Sequence, residues 1–385
     1  MHDCIYFTTS VQTVALRGEI LTPDRDRQQE EINMAATIKD IAKMVGVSPS
    51  TVSRVVNRTA PISEETQEKI REAMKKLNYH PNSTARNLAS GASCTIGLVI
   101  DAADEGTFAN SFFNRSVYAI EKVVQEHSYS LLITNNRPGS SIRTLVYEKR
   151  VDGLIIPPAS LDEETVRFLE EEHFPFVVLG EPAIDQMRMT WVDVDNRRGS
   201  REAVSHLSQQ GFRRIVMIVR NDRTVFARNR IRGYQDGVAE ICSPQVICVE
   251  EPDGRRSRPE QEDAEFWTDG QAAKMEQLAV RLVSEGKADA FLCADNEIAY
   301  HVLRALHGAG CRVPEDAGVV TFDNYPLAPF MDPPLTAVDV DTSRLGKAAA
   351  ELLIQSIHEA DRSPRQVLVG TSLIRRMSSA GKEVQ

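Results

Sequence analysis

Residues 37–57, TIKDIAKMVGVSPSTVSRVVN, decide the fold of the N-terminal part of this chain. Apolar residues recur at helical spacing over residues 38–45, which predicts a short helix with one apolar face. Gly46 then permits a tight turn with positive φ. Ser48 is a favoured N-cap, and Pro49 follows at the first position of a second helix. Two short helices joined by a turn that contains glycine are typical of a helix-turn-helix.

The second helix of such a motif enters the major groove of DNA with its N-terminal residues facing the base edges. Pro49, Ser50 and Arg54 occupy those positions, and an arginine can bond to O6 and N7 of guanine together. Short polar side chains suit phosphate contacts, which position the protein without reading sequence. These candidates are Ser48, Thr51, Ser53 and Asn57. An ordinary helical hairpin with a capped second helix is the alternative interpretation.

Charge favours DNA binding by this segment. Residues 37–90 hold nine Lys and Arg against five Asp and Glu, whereas the whole chain has a formal net charge of −10. A basic segment on an acidic chain is the distribution expected when only that segment meets phosphate.

Residues 37–91 resemble the head and hinge of the lactose-repressor/galactose-repressor family of bacterial transcription regulators. The resemblance rests on IKDIAKMVGVS, TVSRVVN, YHPN and ARNLASG in this order and spacing. It implies that residues 82–90 fold into a short helix over the minor groove, where a leucine wedges between base pairs and kinks the DNA. The contact residues that it implies here are Tyr79, Asn82, Leu88 and Ala89. A plain linker leucine is the alternative for Leu88.

The rest of the chain alternates apolar strand-like runs with helical patterns over residues 94–322. This alternation predicts parallel sheets covered on both faces, and two such series predict two doubly wound lobes. Ligands bind at the carboxyl ends of strands in open parallel sheets, so the cleft between the lobes is the expected ligand site. The resemblance extends to Ser379 and implies a periplasmic-binding-protein-like sensor.

The expected fold is therefore an all-α helix-turn-helix head followed by an α/β two-lobed sensor. Residues 1–35 match nothing in the family, and we expect either a disordered tail or an over-extended gene start ahead of Met34. The remaining expected domains are a helix-turn-helix domain over 36–81, a hinge helix over 82–93, an N-terminal lobe over 94–211 plus 339–365, and a C-terminal lobe over 212–338 plus 366–379.

The resemblance also implies which residues contact the effector. Aromatic side chains would stack on a sugar or base, an arginine would grip hydroxyl groups, and a carboxylate would accept from them. The family has an Asn-Asp pair at one of these positions, whereas this chain has Asp followed by Asn. The order matters because an aspartate only accepts hydrogen bonds, whereas an asparagine also donates them. The implied set is Phe112, Phe113, Arg230, Trp267, Asp295, Asn296 and Asp323. Core packing is the alternative for the phenylalanines, and structural ion pairs are the alternative for the charged residues.

Several classes of protein lack support in the sequence. The motifs HExxH, GxSxG and GxxxxGK[ST] are absent, and the eight histidines show no ligand spacing, so we expect no enzyme, no metal and no cofactor. The six cysteines form no CxxC, which favours reduced thiols in the cytoplasm. No apolar run reaches the length of about 18 residues that a membrane-spanning helix needs.

The expected function is a ligand-responsive repressor of carbohydrate-utilisation genes, released from operator DNA by a sugar. The resemblance implies a cytoplasmic homodimer that binds a pseudo-palindromic operator and lies on the nucleoid when bound. Faces of both lobes would form the dimer, including the helix over residues 113–127. A corepressor-dependent repressor and a soluble sugar-binding protein without DNA function are the alternatives.

Overall fold

The computed structural model describes residues 36–57, 60–79, 92–100, 111–135, 141–184, 189–249, 269–359 and 363–381. The chain separates into two compact units, Met1–Ser90 and Gly91–Gln385. Among the residues described, no helix has the length and apolar character to cross a membrane. The same residues contain no group of three or more His, Cys, Asp or Glu side chains that could hold a metal ion.

The first unit contains three described helices. Helix α1 is Ile38–Val45, α2 is Pro49–Asn57 and α3 is Glu64–Lys76. Gly46 ends α1 in the left-handed conformation with φ of 76°, and its N–H donates to the carbonyl of Ala42 (2.9 Å). The turn that glycine was expected to permit is therefore present, and the predicted helix-turn-helix is confirmed.

The three helices share one small core. The side chains of Ile41, Val52 and Ile70 are fully buried, one from each helix. Burying an aliphatic side chain of this size contributes about 1.5–3 kcal/mol, so these three contacts hold the helices together. The arrangement leaves the polar side of α2 outside the core.

The second unit contains two six-stranded sheets. In the first sheet every strand pairing is parallel. Its strands are β1 (Thr95–Ile100), β2 (Ser130–Asn135), β3 (Gly153–Ile156), β4 (Phe176–Leu179), β5 (Trp191–Val194) and β11 (Gln366–Val369), in the order β11-β5-β4-β3-β1-β2.

The second sheet is parallel except for one edge strand, because the strand Thr371–Ile374 runs antiparallel to the strand Thr336–Val340. Its strands are β6 (Ile215–Val219), β7 (Val246–Cys248), β8 (Ala290–Cys293), β9 (Gly318–Phe322), β10 (Thr336–Val340) and β12 (Thr371–Ile374), in the order β12-β10-β9-β8-β6-β7. Every residue of β6, β8 and β9 is buried, as expected for strands covered on both faces.

Helices cover both sheets, so the predicted pair of doubly wound lobes is confirmed. The described helices of the second unit are α4 (Ser111–Glu126), α5 (Ile142–Tyr147), α6 (Glu163–Glu171), α7 (Asn196–Gln209), α8 (Val225–Val238), α9 (Asp269–Ser284), α10 (Asn296–Gly308) and α11 (Thr342–His358).

The chain crosses between the lobes at three points, and these differ from the boundaries expected at 211, 339 and 365. The first crossing is at Asp195, because α7 packs into the core of the second lobe with Phe212. The second is at Asp341, since β10 belongs to the second sheet and α11 packs on the first. The third is at Gly370, because β11 pairs with β5 before β12 returns to β10.

Candidate functional site

The start of α2 presents a polar surface. The Thr51 N–H donates to the Ser48 hydroxyl (3.1 Å), so Ser48 is the N-cap that the sequence predicted. The same hydroxyl lies 2.7 Å from that of Ser50 and 2.8 Å from that of Thr51. Pro49, Ser50 and Arg54 are exposed. The residues predicted to face base edges therefore lie on the open side of α2.

The other predicted DNA contacts have varied environments. Thr51 and Ser53 are partly buried, and Tyr79 packs against the core of the three helices. Tyr79 thus has a packing role in the structure. The side chain of Asn57 lies outside the described residues, as do Asn82, Leu88 and Ala89.

Helix α1 adds two basic residues that are missing from the predicted set. Lys39 and Lys43 are exposed on this helix, and their charge is the signal that identifies them as candidates for phosphate contact. The helix is capped by Thr37, whose hydroxyl (2.6 Å) and N–H (2.9 Å) both donate to the Asp40 carboxylate. These hydrogen bonds hold the pKa of Asp40 below its usual range.

Arg230 is a buried arginine of the second lobe, next in sequence to Asn229, which contacts the first lobe. Arg230 lies on α8, and its guanidinium stacks over the ring of Phe322 (4.0 Å to the centroid). Its Nε donates to Oδ1 of Asn196 (2.8 Å), and its Nη1 donates to the carbonyl of Ala294. The guanidinium is therefore held by groups from three other segments of the chain and keeps a fixed orientation.

Asp323 follows β9 and faces this arginine. Its backbone is left-handed, with φ of 65°, which is uncommon for a residue other than glycine. Its Oδ1 lies 3.6 Å from Nη2 of Arg230 and is buried without a hydrogen-bond partner among the described residues. Burial raises the pKa of Asp323, although the charge of Arg230 opposes the shift. This buried oxygen is thus ion-paired with Arg230 but accepts no hydrogen bond from the described residues.

Asp295 and Asn296, the acidic–amide pair, make different contacts. Asp295 caps α10 by accepting from the Ile298 N–H (2.9 Å), and its other oxygen accepts from Arg220 Nε (3.0 Å). The Asn296 amide donates to the carbonyl of Asp323 (2.7 Å) and is almost fully buried. Asn296 therefore fixes the main chain at Asp323, and both oxygens of Asp295 are already occupied.

The structure describes two of the three aromatic residues predicted to contact the effector. Phe112 and Phe113 are partly buried and pack against the core of the first lobe, as the core-packing alternative expected. Trp267 lies outside the described residues.

Two residues outside the predicted set form a hydrogen bond between the lobes. Glu181 follows β4 of the first lobe, and its Oε2 accepts from the side-chain amide of Asn229 on α8 of the second lobe (2.6 Å). The Glu181 N–H donates to the buried carboxylate of Asp193 (3.1 Å), and burial raises the pKa of Asp193. Glu181 lies two residues after the carboxyl end of β4, where ligand sites of parallel sheets occur, and this position is the signal that could have identified it.

Known proteins resemble both parts of this chain. The family model "Bacterial regulatory proteins, lacI family" matches residues 37–82, and "Periplasmic binding protein-like domain" matches residues 204–379. The HTH-type transcriptional regulator CelR of Thermobifida fusca is 29% identical over 347 residues, which cover 89% of this chain and 98% of CelR.

Solved structures show the same architecture. The complex of transcriptional regulator CelR with cellobiose has a TM-score of 0.60 and 27% identity, covering 89% of this chain and 99% of that chain. The lac repressor dimer bound to operator and the anti-inducer ONPF has a TM-score of 0.69 and 26% identity, covering 90% of this chain and 100% of that chain. With its helix-turn-helix and two-lobed sensor, the chain belongs to the LacI family of bacterial regulatory proteins.

Proposed function

We propose that this chain is a repressor of carbohydrate-utilisation genes, which binds operator DNA through α2 and is released by a sugar. One similar protein has been solved with cellobiose and another as a dimer on its operator. Because DNA is the partner, we place the protein in the cytoplasm, on the nucleoid when bound. Its relatives are regulators, and we propose no enzymatic activity.

The observation that carries the sugar proposal is that Asp323 Oδ1 accepts no hydrogen bond from the described residues, although it is ion-paired with Arg230. A buried carboxylate oxygen without a donor is unfavourable, because desolvation is not offset by a hydrogen bond. A hydroxyl group of a ligand would supply that donor. Arg230 lies beside the same oxygen and is held in place by Asn196, so the ligand would meet an acceptor and a guanidinium in fixed positions.

The charge of the cleft argues for a neutral ligand. Two arginines face five carboxylates in and around the cleft, and two of those carboxylates already pair with Arg220. A phosphate group would be repelled by the remaining excess of negative charge. These groups are Glu181, Asp193, Arg220, Arg230, Asp295, Glu297 and Asp323.

Control of DNA binding requires that the sugar prefer one arrangement of the lobes. The hydrogen bond between Glu181 and Asn229 joins the lobes without a ligand, so a sugar inserted between them would break or replace it. The resulting change would reach both copies of a dimer. The two DNA-reading units of a dimer could then no longer bind both operator half-sites at the same time. The gain in affinity from bivalent binding would be lost.

Exposed apolar side chains suggest where a second copy of the chain binds. Tyr118 on α4 is 70% exposed, and Leu327 and Phe330 in the second lobe are 60% and 84% exposed. Large exposed apolar residues are enriched where proteins meet other proteins. Tyr118 lies on the helix expected to contribute to the dimer, whereas the two second-lobe residues were not predicted.

Fluorescence anisotropy on the DNA upstream of the gene tests the proposal. The protein is titrated at fixed salt with cellobiose, maltose, lactose and the corresponding sugar phosphates, because affinity for DNA depends steeply on salt. We expect one neutral sugar to weaken binding at least tenfold, or about 1.4 kcal/mol, and the phosphates to have no effect.

Other outcomes separate the alternatives. A sugar that strengthens binding of the protein to DNA indicates a corepressor-dependent repressor. Sugar binding by calorimetry without any DNA binding indicates a soluble sugar-binding protein, and release by a sugar phosphate alone contradicts the charge argument.

A further inference from the structure

One carboxylate binds the chain at the start of the sensor, after the segment that follows the DNA-reading unit. Asp152 lies directly before β3, and its Oδ1 accepts from the Ser93 N–H while its Oδ2 accepts from the Cys94 N–H, both at 2.7 Å. Its own N–H donates to the carbonyl of Thr95 (2.8 Å). A single residue of the first lobe thus binds three consecutive residues at the start of β1.

The local backbone shows why an acceptor is needed at this point. Cys94 is left-handed, with φ of 48°, so its N–H and that of Ser93 do not continue the ladder of β1. Successive N–H groups in turns of this kind form a concavity that favours an anion. Asp152 fills this role from within the chain. The carbonyl of Cys94 accepts from the Ser130 N–H (2.9 Å), which ties the same residue to β2.

The position of this junction in the chain gives it a consequence. Residues 92–94 are the first described residues of the sensor after the segment that follows the DNA-reading unit. A movement of the first lobe moves the segment that leads to the DNA-reading unit only if that segment is fixed to the lobe. A loose junction would absorb the movement and would widen the range of positions available to two linked DNA-reading units.

We propose that Asp152 is a positioning residue for DNA binding, which fixes the chain to the first lobe at Ser93 and Cys94. This inference rests on the proposed function, because it assigns Asp152 a role in operator affinity. It differs from a purely structural role, since it predicts weaker DNA binding in a protein whose sensor remains folded.

The test compares Asp152→Asn with a matched control. Asparagine replaces one acceptor oxygen with a donor, so one of the two N–H groups loses its partner. The control is Asp162→Asn, which removes the same charge from the same lobe, where Asp162 caps α6 by accepting from the Thr165 N–H (2.7 Å). Both variants are measured as full-length protein on the upstream DNA by anisotropy at several salt concentrations.

We expect Asp152→Asn to weaken operator binding at least fivefold, with an unchanged dependence of log K on log salt. The control should bind within twofold of the wild type. The sign is informative, because removal of a negative charge would by itself strengthen binding to DNA. Equal operator affinities of the two variants would overturn the proposal.

Hydrogen exchange gives a readout that does not depend on DNA. In Asp152→Asn the amides of Ser93 and Cys94 should exchange at least tenfold faster, while the amide of Leu98 within β1 stays within threefold of the wild type. Unchanged exchange at Ser93 and Cys94 would show that Asp152 does not fix the chain at these residues, and it would overturn the proposal. If Asp152→Asn fails to fold, Asp152→Glu, which keeps the charge but displaces the oxygens, is measured in the same way and should show a smaller change in the same direction.

Failure of the proposed function has a different signature. Wild-type protein that does not bind the upstream DNA would refute the regulator and the DNA role of Asp152 together. Wild-type protein that binds DNA while Asp152→Asn behaves as the control would refute the role of Asp152 alone.

Discussion

The substitution Asp323→Asn separates a ligand-binding carboxylate from a structural one. Because Oδ1 accepts no hydrogen bond from the described residues, its removal breaks no such bond. A ligand hydroxyl would lose a charged acceptor, and hydrogen bonds to charged groups contribute about 1.5–3 kcal/mol against about 0.5–1.5 kcal/mol for neutral ones. We therefore expect sugar binding to weaken by about 1–2 kcal/mol, or roughly five- to thirtyfold in Kd.

The stability of the same variant should change little. Asparagine relieves the desolvation of a buried carboxylate, and Arg230 keeps its hydrogen bonds to Asn196 and Ala294. The loss of the ion pair with Arg230 opposes the gain from relieved desolvation, so the free energy of unfolding should stay within about 1 kcal/mol of the wild type. Calorimetric titration with the sugar identified by anisotropy and urea denaturation at pH 7 measure the two quantities.

Asp289→Asn is the matched control in the same lobe. Asp289 is buried directly before β8, and its carboxylate accepts from the N–H groups of Arg213 (3.0 Å) and Arg214 (2.8 Å). This variant should lose stability and keep its affinity for the sugar. If Asp323→Asn instead loses about 3 kcal/mol or more of stability with unchanged sugar affinity, Asp323 is only the structural partner of Arg230.

Four further predictions follow from the geometry. Burial raises the pKa of Asp323 in the folded state. The stability of the wild type relative to Asp323→Asn should therefore fall as pH rises from about 3.9, the pKa in the unfolded state, through the raised pKa of the folded state. Urea titrations across pH 3–8 measure this difference in stability. Arg54→Ala should weaken operator binding by about 1–3 kcal/mol, measured by anisotropy, and equal affinity would remove Arg54 from the interface. Gly233→Ala should cost about 1–3 kcal/mol of stability in urea denaturation, because a Cβ there would lie 2.1 Å from the carbonyl oxygen of Arg197. Phe330→Glu should raise the dimer dissociation constant at least tenfold in sedimentation equilibrium, and an unchanged constant would place the interface elsewhere.

The helix-turn-helix was predictable from the sequence because its determinants are local. Gly46, Ser48 and Pro49 fix the turn and the start of α2 through their own backbone preferences. The lobe boundaries were not predictable in the same way. The pattern of α7 shows an amphipathic helix but not which sheet it covers, and β11 pairs with β5, which lies far earlier in the chain.

The effector cleft was predictable in part. The family resemblance indicated Arg230, which lies within α8, and Asp323, which follows the end of β9, and the structure brings them together. The sequence did not reveal that both oxygens of Asp295 are occupied, because its partner Arg220 lies 75 residues away. The contact between Glu181 and Asn229 depends on how two lobes face each other, which no local pattern encodes.

The three crossings between the lobes bear on how the protein is made by the ribosome. The first sheet contains β11, and its covering helix α11 also comes from the last part of the chain. The first lobe therefore cannot be completed until synthesis has passed Val369, although β1 to β5 emerge long before. During translation β5 presents an open sheet edge while the helices of the second lobe are still emerging. An interruption of synthesis after residue 340 would leave both lobes incomplete, whereas the three-helix unit at the start would already hold its full core.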